Sequence, residues 1–346
     1  MKAFTHDSLL LKKSDARMKY YRRNKEDKKA IHFGQRKLLL SEIWFLINYV
    51  EKAKFSNVSS IGNDIKITPH VVYAGAADGT HIAILSELFP NITFHLYDPR
   101  KFRIKSTDKI FIYNQYFTNK DASYWKDQQK INNNIFFISD IRTADYRTMS
   151  PEINEETIIS DNRLQEKWVK IIKPVAAFCK YRPPYPITAK YKTFKYLDGL
   201  IFKQPWAPQT STETRLLIKT QENNRIAEKD YDTELYQDQM FYHNTVIREQ
   251  FRYSADNIDA PELLNDWDST AEYEILKQYF INKNNEEDVE NKVKKLSKEI
   301  TERLLQHLSD SEKFTLATLR QGLTINNVVV RSTTELASIK IQDKKD

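Results

Sequence analysis

Seven short apolar runs lie between residues 71 and 218, each about the length of a strand, and helical patterns recur between them. They are Val71 to Ala74, Ile92 to Tyr97, Ile110 to Tyr116, Ile135 to Ser139, Ala176 to Tyr181, Gly199 to Phe202 and Arg215 to Ile218. Strands that alternate with helices imply an α/β fold with a mostly parallel central sheet flanked by helices, because parallel neighbours need a crossover. One helix is expected from about Arg36 to Val50, with Leu39, Leu40, Ile43, Leu46, Ile47 and Val50 on its apolar face. Six of the eleven prolines fall between Pro174 and Pro208, where they shape loops or strand ends.

After about Arg252 the pattern turns helical. In EEDVENKVKKLSKEITERLLQHL a single stripe holds Val289, Val293, Leu296, Ile300 and Leu304, with acids first and bases later, the order a helix dipole favours. Such a stripe asks only for packing. The chain therefore divides into an N-terminal arm over residues 1–30, an α/β core over 31–252 and a helical extension over 253–346 packed on the core.

Composition excludes several classes. With 29% charged and 40% hydrophobic residues, the 346-residue chain suits a soluble globular protein of one large or two small domains. It shows no signal peptide and no apolar run of membrane-spanning length, and its one cysteine, Cys179, allows neither a disulfide nor a cysteine-rich metal site. A reducing, cytosolic setting away from membranes is expected. The seven histidines have no ligand spacing, so no metal is expected, and Cys179 reads as a small apolar filler.

The net charge of +7 is concentrated at one end. Met1 to Ala30 carries ten Lys/Arg against four Asp/Glu. Within KYYRRNKEDKK, Tyr20 and Tyr21 adjoin Arg22 and Arg23, a mixture that neutralises phosphates and stacks on bases. A solvated tail of the same composition is the alternative.

In VVYAGAADGTHIAIL, Gly75 and Gly79 are two of only six glycines. They let the chain turn tightly after a strand and let backbone N–H groups approach a ligand where the next helix begins. The spacing lacks the G-x-G-x-x-G of dinucleotide binders and there is no Walker lysine. Asp98 ends the following strand in ITFHLYDPR, where a carboxylate accepts hydrogen bonds from a ribose. A glycine turn with an acidic strand end points to an adenosine-containing cofactor, with an ordinary α/β turn as the alternative.

GQRKLLLSEIWFL, VVYAGAADGTHI, FFISDIR, KPVAAFCKYRPPYP and PWAPQTSTETRLL resemble, in order, the poxvirus cap-specific mRNA 2′-O-methyltransferases, which double as the small subunit of the viral poly(A) polymerase. The similarity runs from about Phe33 to Arg248. It implies a Rossmann-like class I methyltransferase core using S-adenosyl-L-methionine, and a Lys-Asp-Lys-Glu tetrad on Lys37, Asp140, Lys180 and Glu213. It places the cofactor at Gly75, Ala76, Gly79, Asp98, Arg100 and Asp140. It also implies the capped mRNA 5′ end as substrate, a poly(A) polymerase catalytic subunit as partner, and the host cytoplasm of a large DNA virus, or its virion, as location. Asp78 departs from the family's usual proline.

The tetrad makes chemical sense by itself. Methylating a ribose 2′-hydroxyl requires its oxygen in line with the methyl group and a neighbour that takes a weakly acidic proton. Lysine becomes such a base when desolvated beside another cation. Lys180 is the expected base, Lys37 the neighbouring cation, and Asp140 and Glu213 the orienting carboxylates.

Cap recognition in the family uses two aromatic faces and acidic groups on a cationic purine. Tyr185 in RPPYP supplies one face, with Arg182, Arg22 and Arg23 as RNA contacts, but Ile187, Thr210 and Gln237 stand where the family has an acid, a tyrosine and an acid. Tyr20, Tyr21 or Trp206 would give the second face, and Glu234 or Asp238 the acid. Two other functions fit the same residues: an RNA-binding processivity subunit that keeps the fold, and an FtsJ-like methyltransferase of uncapped RNA.

Overall fold

Each of the seven apolar runs forms a strand: β1 (His70–Ala74), β2 (Thr93–Tyr97), β3 (Ile110–Tyr113), β4 (Ile135–Ser139), β5 (Ala176–Tyr181), β7 (Leu200–Phe202) and β8 (Thr214–Lys219). Two more, β6 (Thr193–Leu197) and β9 (Glu228–Asp232), pair as an antiparallel ribbon. The computed structural model describes residues 4–23, 34–53, 59–60, 63–64, 68–187, 191–251, 266–285 and 287–305. Two compact units emerge. A sheet unit holds Phe45–Phe202 and Glu213–Tyr236, and a helical unit holds Met1–Trp44, Lys203–Thr212 and Gln237–Asp346. The arm, core and extension expected from sequence divide the chain differently, and residues 24–33, 252–265 and 306–346 lie outside the described residues.

In the sheet unit the strand order is β7-β8-β5-β4-β1-β2-β3. The pairs β1·β2, β1·β4, β2·β3 and β4·β5 are parallel, whereas β5·β8 and β7·β8 are antiparallel. The fold is thus mixed α/β with a central sheet. β1, β2, β4 and β5 are mostly apolar and buried on nearly every residue because both faces are covered. Phe136 and Phe178 meet Phe45, whose ring stacks on Phe178 at 5.1 Å. Phe137, the next residue along β4, points the other way and meets Trp168.

Phe45 ends α1 (Gly34–Phe45), which continues through Leu46–Val50 as a wider turn, so the expected helix and its buried stripe are present. Trp168 belongs to α4 (Pro151–Ile172), which follows α2 (Thr80–Leu88) and α3 (Asn119–Asn132). Ser150 caps α4 by accepting the Ile153 N–H, and Pro151 opens its first turn. The expected strand to Tyr116 stops at Tyr113. The Gln115 N–H turns back to the Tyr113 carbonyl, Asn114 donates to the Arg100 carbonyl, and Tyr116 is left exposed.

After α5 (Thr233–Tyr242), the helical unit contains α6 (Trp267–Asn282) and α7 (Val289–Leu305). α7 buries Val293, Leu296 and Ile300 from the expected stripe. Its packing is joined by a buried polar network: Arg36 donates to Glu272, Ser297 and Thr301, and the Trp206 indole N–H donates to Glu272 at 2.7 Å.

Candidate functional site

The strand order reverses between β1 and β4, and in open α/β sheets ligands bind beyond the carboxyl ends of strands at such a reversal. Residues singled out in the sequence collect at these ends. Gly75 and Gly79 follow β1 with φ of 80° and 74°. A Cβ on Gly75 would lie 3.1 Å from the Ile141 nitrogen and 3.2 Å from the Asp140 carbonyl carbon, so the glycine turn lies directly on the chain leaving β4. A Cβ on Gly79 would meet Ile104 at 2.9 Å and Phe102 at 3.0 Å. Both glycines are therefore favoured by a backbone angle that strains other residues and by tight surroundings.

The turn is tied to β2. Gly75 and Ala76 donate their N–H groups to the Tyr97 carbonyl, at 2.9 and 3.2 Å. Asp98, buried at the end of β2, accepts the Ala77 N–H at 2.9 Å and the backbone N–H and guanidinium of Arg100. These hydrogen bonds raise the already high pKa of Arg100. Asp78, in the position of the family's proline, accepts the Thr80 N–H and pairs with Arg103 at 3.2 Å, closing the turn electrostatically.

Parallel register explains how Asp140 and Lys180 converge. Ser139 on β4 is level with Cys179 on β5, so the residues that follow, Asp140 and Lys180, are level too. Their charged atoms are 3.3 Å apart, and the Glu213 carboxylate lies 4.0 Å from the Lys180 ammonium. Lys180 is nearly buried, with 11% of its side chain exposed. Burial pushes the neighbouring Cys179 thiol up to about 12, which keeps it protonated and inert, as expected of a filler.

Two arginines join this cluster that the sequence reading did not single out. Arg215, fully buried, pairs with Asp140 at 2.6 Å and donates to the Ser139 carbonyl. Arg142 donates to Glu213 at 2.7 Å and lies 3.6 Å from Asp161. Each stands two residues beyond a tetrad acid, the spacing that keeps neighbours on one face of an extended chain, and that was their signal. Lys37 lies in the first turn of α1, in the helical unit, and is buried.

α4 supports the same strand end with polar side chains. Gln165 donates to the Lys180 carbonyl, Asn162 to the Arg182 carbonyl, and Asp161 accepts from Thr143. Glu155 accepts two hydrogen bonds from Arg182, at 2.7 and 2.6 Å, and one from the Tyr185 N–H at 2.7 Å. The Arg182 guanidinium lies 3.9 Å from the centre of the half-buried Tyr185 ring. Arg182 is thus a buried support for Tyr185.

In the helical unit, Tyr20 and Tyr21 both meet the Phe241 ring edge-on and stay about half exposed. Asp238 accepts the Tyr20 N–H, Arg22 is exposed, and Arg23 forms a two-point pair with Glu249. Trp206 is buried and bonded to Glu272, so its ring serves packing. Among the described residues no group of His, Cys, Asp and Glu could hold a metal, and no helix is long and apolar enough to cross a membrane.

A family model described as Poly A polymerase regulatory subunit matches residues 7–309. The cap-specific mRNA (nucleoside-2′-O-)-methyltransferase of Fowlpox virus (strain NVSL) is 30% identical over 223 residues, 62% of this chain and 68% of that protein. The protein of the same name from Myxoma virus (strain Lausanne) is 28% identical over 271 residues, 75% of this chain and 73% of that one. Bluetongue virus VP4, described as a multifunctional RNA-capping production-line, is 16% identical with a TM-score of 0.42, covering 67% of this chain and 35% of that chain.

Proposed function

The chain belongs to the poly A polymerase regulatory subunit family, and from that membership we propose that it methylates the ribose 2′-hydroxyl of the first transcribed nucleotide of capped mRNA. It is an mRNA (nucleoside-2′-O-)-methyltransferase, with related viral enzymes of that name aligned over most of its length. The observation that carries the finer reading is the position of Lys180 between Asp140 and Glu213, beside the glycine turn.

The residues present fit S-adenosyl-L-methionine. Gly75 packs closely on the Asp140 backbone and Gly79 on Ile104 and Phe102, which holds the turn tight where the cofactor would lie, and Asp98 and Arg100 close the end of β2. Gly75, Ala76, Gly79, Asp98, Arg100 and Asp140 would hold the cofactor, in a Rossmann-like class I arrangement. Bound there, it supplies an electrophilic methyl group on sulfur. Lys180 Nζ, as the neutral amine, would accept the 2′-hydroxyl proton and become an ammonium, with Asp140 and Glu213 fixing the direction of Nζ. Arg142 and Arg215 fix those carboxylates in turn. The family resemblance assigns Lys37 as the fourth member of the tetrad. Tyr185 gives a stacking face for the cap base, and Arg22 and the exposed tyrosines of the arm give a salt-sensitive contact to RNA. Residues 31–252 then act as the catalytic core, with the arm and the helical extension as accessories, in the host cytoplasm.

The test is to incubate the purified protein with labelled S-adenosylmethionine and matched RNAs bearing a methylated cap, an unmethylated cap or a triphosphate, and to map the labelled nucleotide. Label on the first nucleotide of capped RNA alone supports the reading; equal label on triphosphate RNA replaces it with an uncapped-RNA methyltransferase. The family's description favours a second role beside the first, as partner of a poly(A) polymerase catalytic subunit. Copurification with such a polymerase and longer tails per binding event would test it.

A further inference from the structure

Glu155 is 2% exposed, yet its two oxygens take four hydrogen bonds: from both Arg182 terminal nitrogens, the Tyr185 backbone N–H and the Asn154 side-chain amide. The Arg182 guanidinium carbon lies over one face of the Tyr185 ring, 3.9 Å from its centre. A bare guanidinium in that place would oppose the approach of a cationic base to the other face of the ring, because the ring quadrupole attracts cations and the positive charge behind it cancels that attraction. A carboxylate in a two-point pair neutralises the charge where it lies.

Resting on the reading that Tyr185 stacks on the cap, we propose that Glu155 is a positioning and specificity residue: it orients Tyr185 through Arg182 and the backbone, and neutralises Arg182 so that the ring accepts a positively charged purine. Its substitution then penalises a cationic base more than a neutral one of the same shape. A role in stability alone would affect both equally.

The experiment measures kcat and KM on RNAs capped with 7-methylguanosine and with unmethylated guanosine, for wild type, Glu155→Gln, Glu155→Gln/Arg182→Met and Tyr185→Ala. Thermal melts and S-adenosylmethionine affinity establish that each variant is folded. Glu155→Gln is expected to raise KM for the methylated cap about two- to fivefold more than for the unmethylated cap, with kcat little changed. The double variant, which removes both charges, should restore the wild-type ratio, and it also keeps the proposal testable if the single variant folds poorly, since breaking one partner of a buried pair is the more damaging change. An unchanged ratio in Glu155→Gln while Tyr185→Ala raises KM overturns the proposal. If Tyr185→Ala leaves KM unchanged on both RNAs, the stacking reading itself fails, and this proposal with it.

Discussion

Arg215 stands directly opposite Lys180 in the antiparallel pairing of β5 and β8, so two cations share one face of the sheet. Asp140 is paired with both, at 2.6 Å to Arg215 and 3.3 Å to Lys180. A cation beside Lys180, a role expected of Lys37, is thus supplied within the sheet unit by Arg215.

Lys180→Ala should lower kcat by about 10²- to 10⁴-fold, the usual contribution of a positioned base, and leave S-adenosylmethionine affinity nearly unchanged. Arg215→Met should lower kcat by about 10- to 100-fold, since Asp140 loses a charge-assisted contact worth roughly 1.5–3 kcal/mol. Single-turnover rates on capped RNA, with cofactor affinity by calorimetry, check both. Near-normal turnover in Lys180→Ala removes it as the base.

Asp98→Ala should weaken cofactor binding by about 10- to 100-fold under the proposed assignment, because the carboxylate that would meet the cofactor also holds the Ala77 N–H and the Arg100 guanidinium of the glycine turn. Asp98→Asn keeps one acceptor oxygen and should fall between that variant and wild type. Calorimetry with S-adenosylmethionine distinguishes them, and equal affinity in all three would end the assignment.

Gly79→Ala combines a φ of 74° with a Cβ 2.9 Å from Ile104. The backbone strain alone costs about 1–2 kcal/mol. Shortening the neighbour in Gly79→Ala/Ile104→Val removes the 2.9 Å contact and should recover some of the steric part and none of the backbone part. Denaturant unfolding of the three proteins measures it, and complete recovery in the double variant would refute the backbone strain.

The His70 and His95 rings meet at 2.9 Å between nitrogens, and His95 stacks on Phe111. Burial, reinforced by His70, lowers the His95 pKa to about 3. Burial also lowers that of His70. The unfolded chain binds these protons first, near pH 6.5. The pair's contribution is thus intact above that pH and lost as pH falls toward 3, on the order of 5 kcal/mol for His95 in full. Urea midpoints from pH 7 to pH 4 should drop more steeply for wild type than for His70→Phe/His95→Phe; parallel curves would place the acid sensitivity elsewhere.

The local pattern of the chain was enough to place its strands. A sheet covered on both faces writes each strand as a continuous apolar run, and Ile135 to Ser139 and Ala176 to Tyr181 match β4 and β5 end to end. The glycine turn was legible for a similar reason, since only glycine serves there without strain. The α7 stripe likewise required only a period of 3.6 residues. Tertiary structure decided the rest. The convergence of Asp140, Lys180 and Glu213 depends on the register of β4, β5 and β8, which links residues far apart in the chain and leaves no local period. The same holds for Glu155, Asn162 and Gln165: local pattern reads polar positions on a helix as a solvated face, and only the packed fold turns them onto the end of β5. Arg182 reads in the sequence as a cap or RNA contact; the fold buries it against a carboxylate 27 residues away. Local spacing determines which elements form, whereas the charges acquire partners only when distant segments meet.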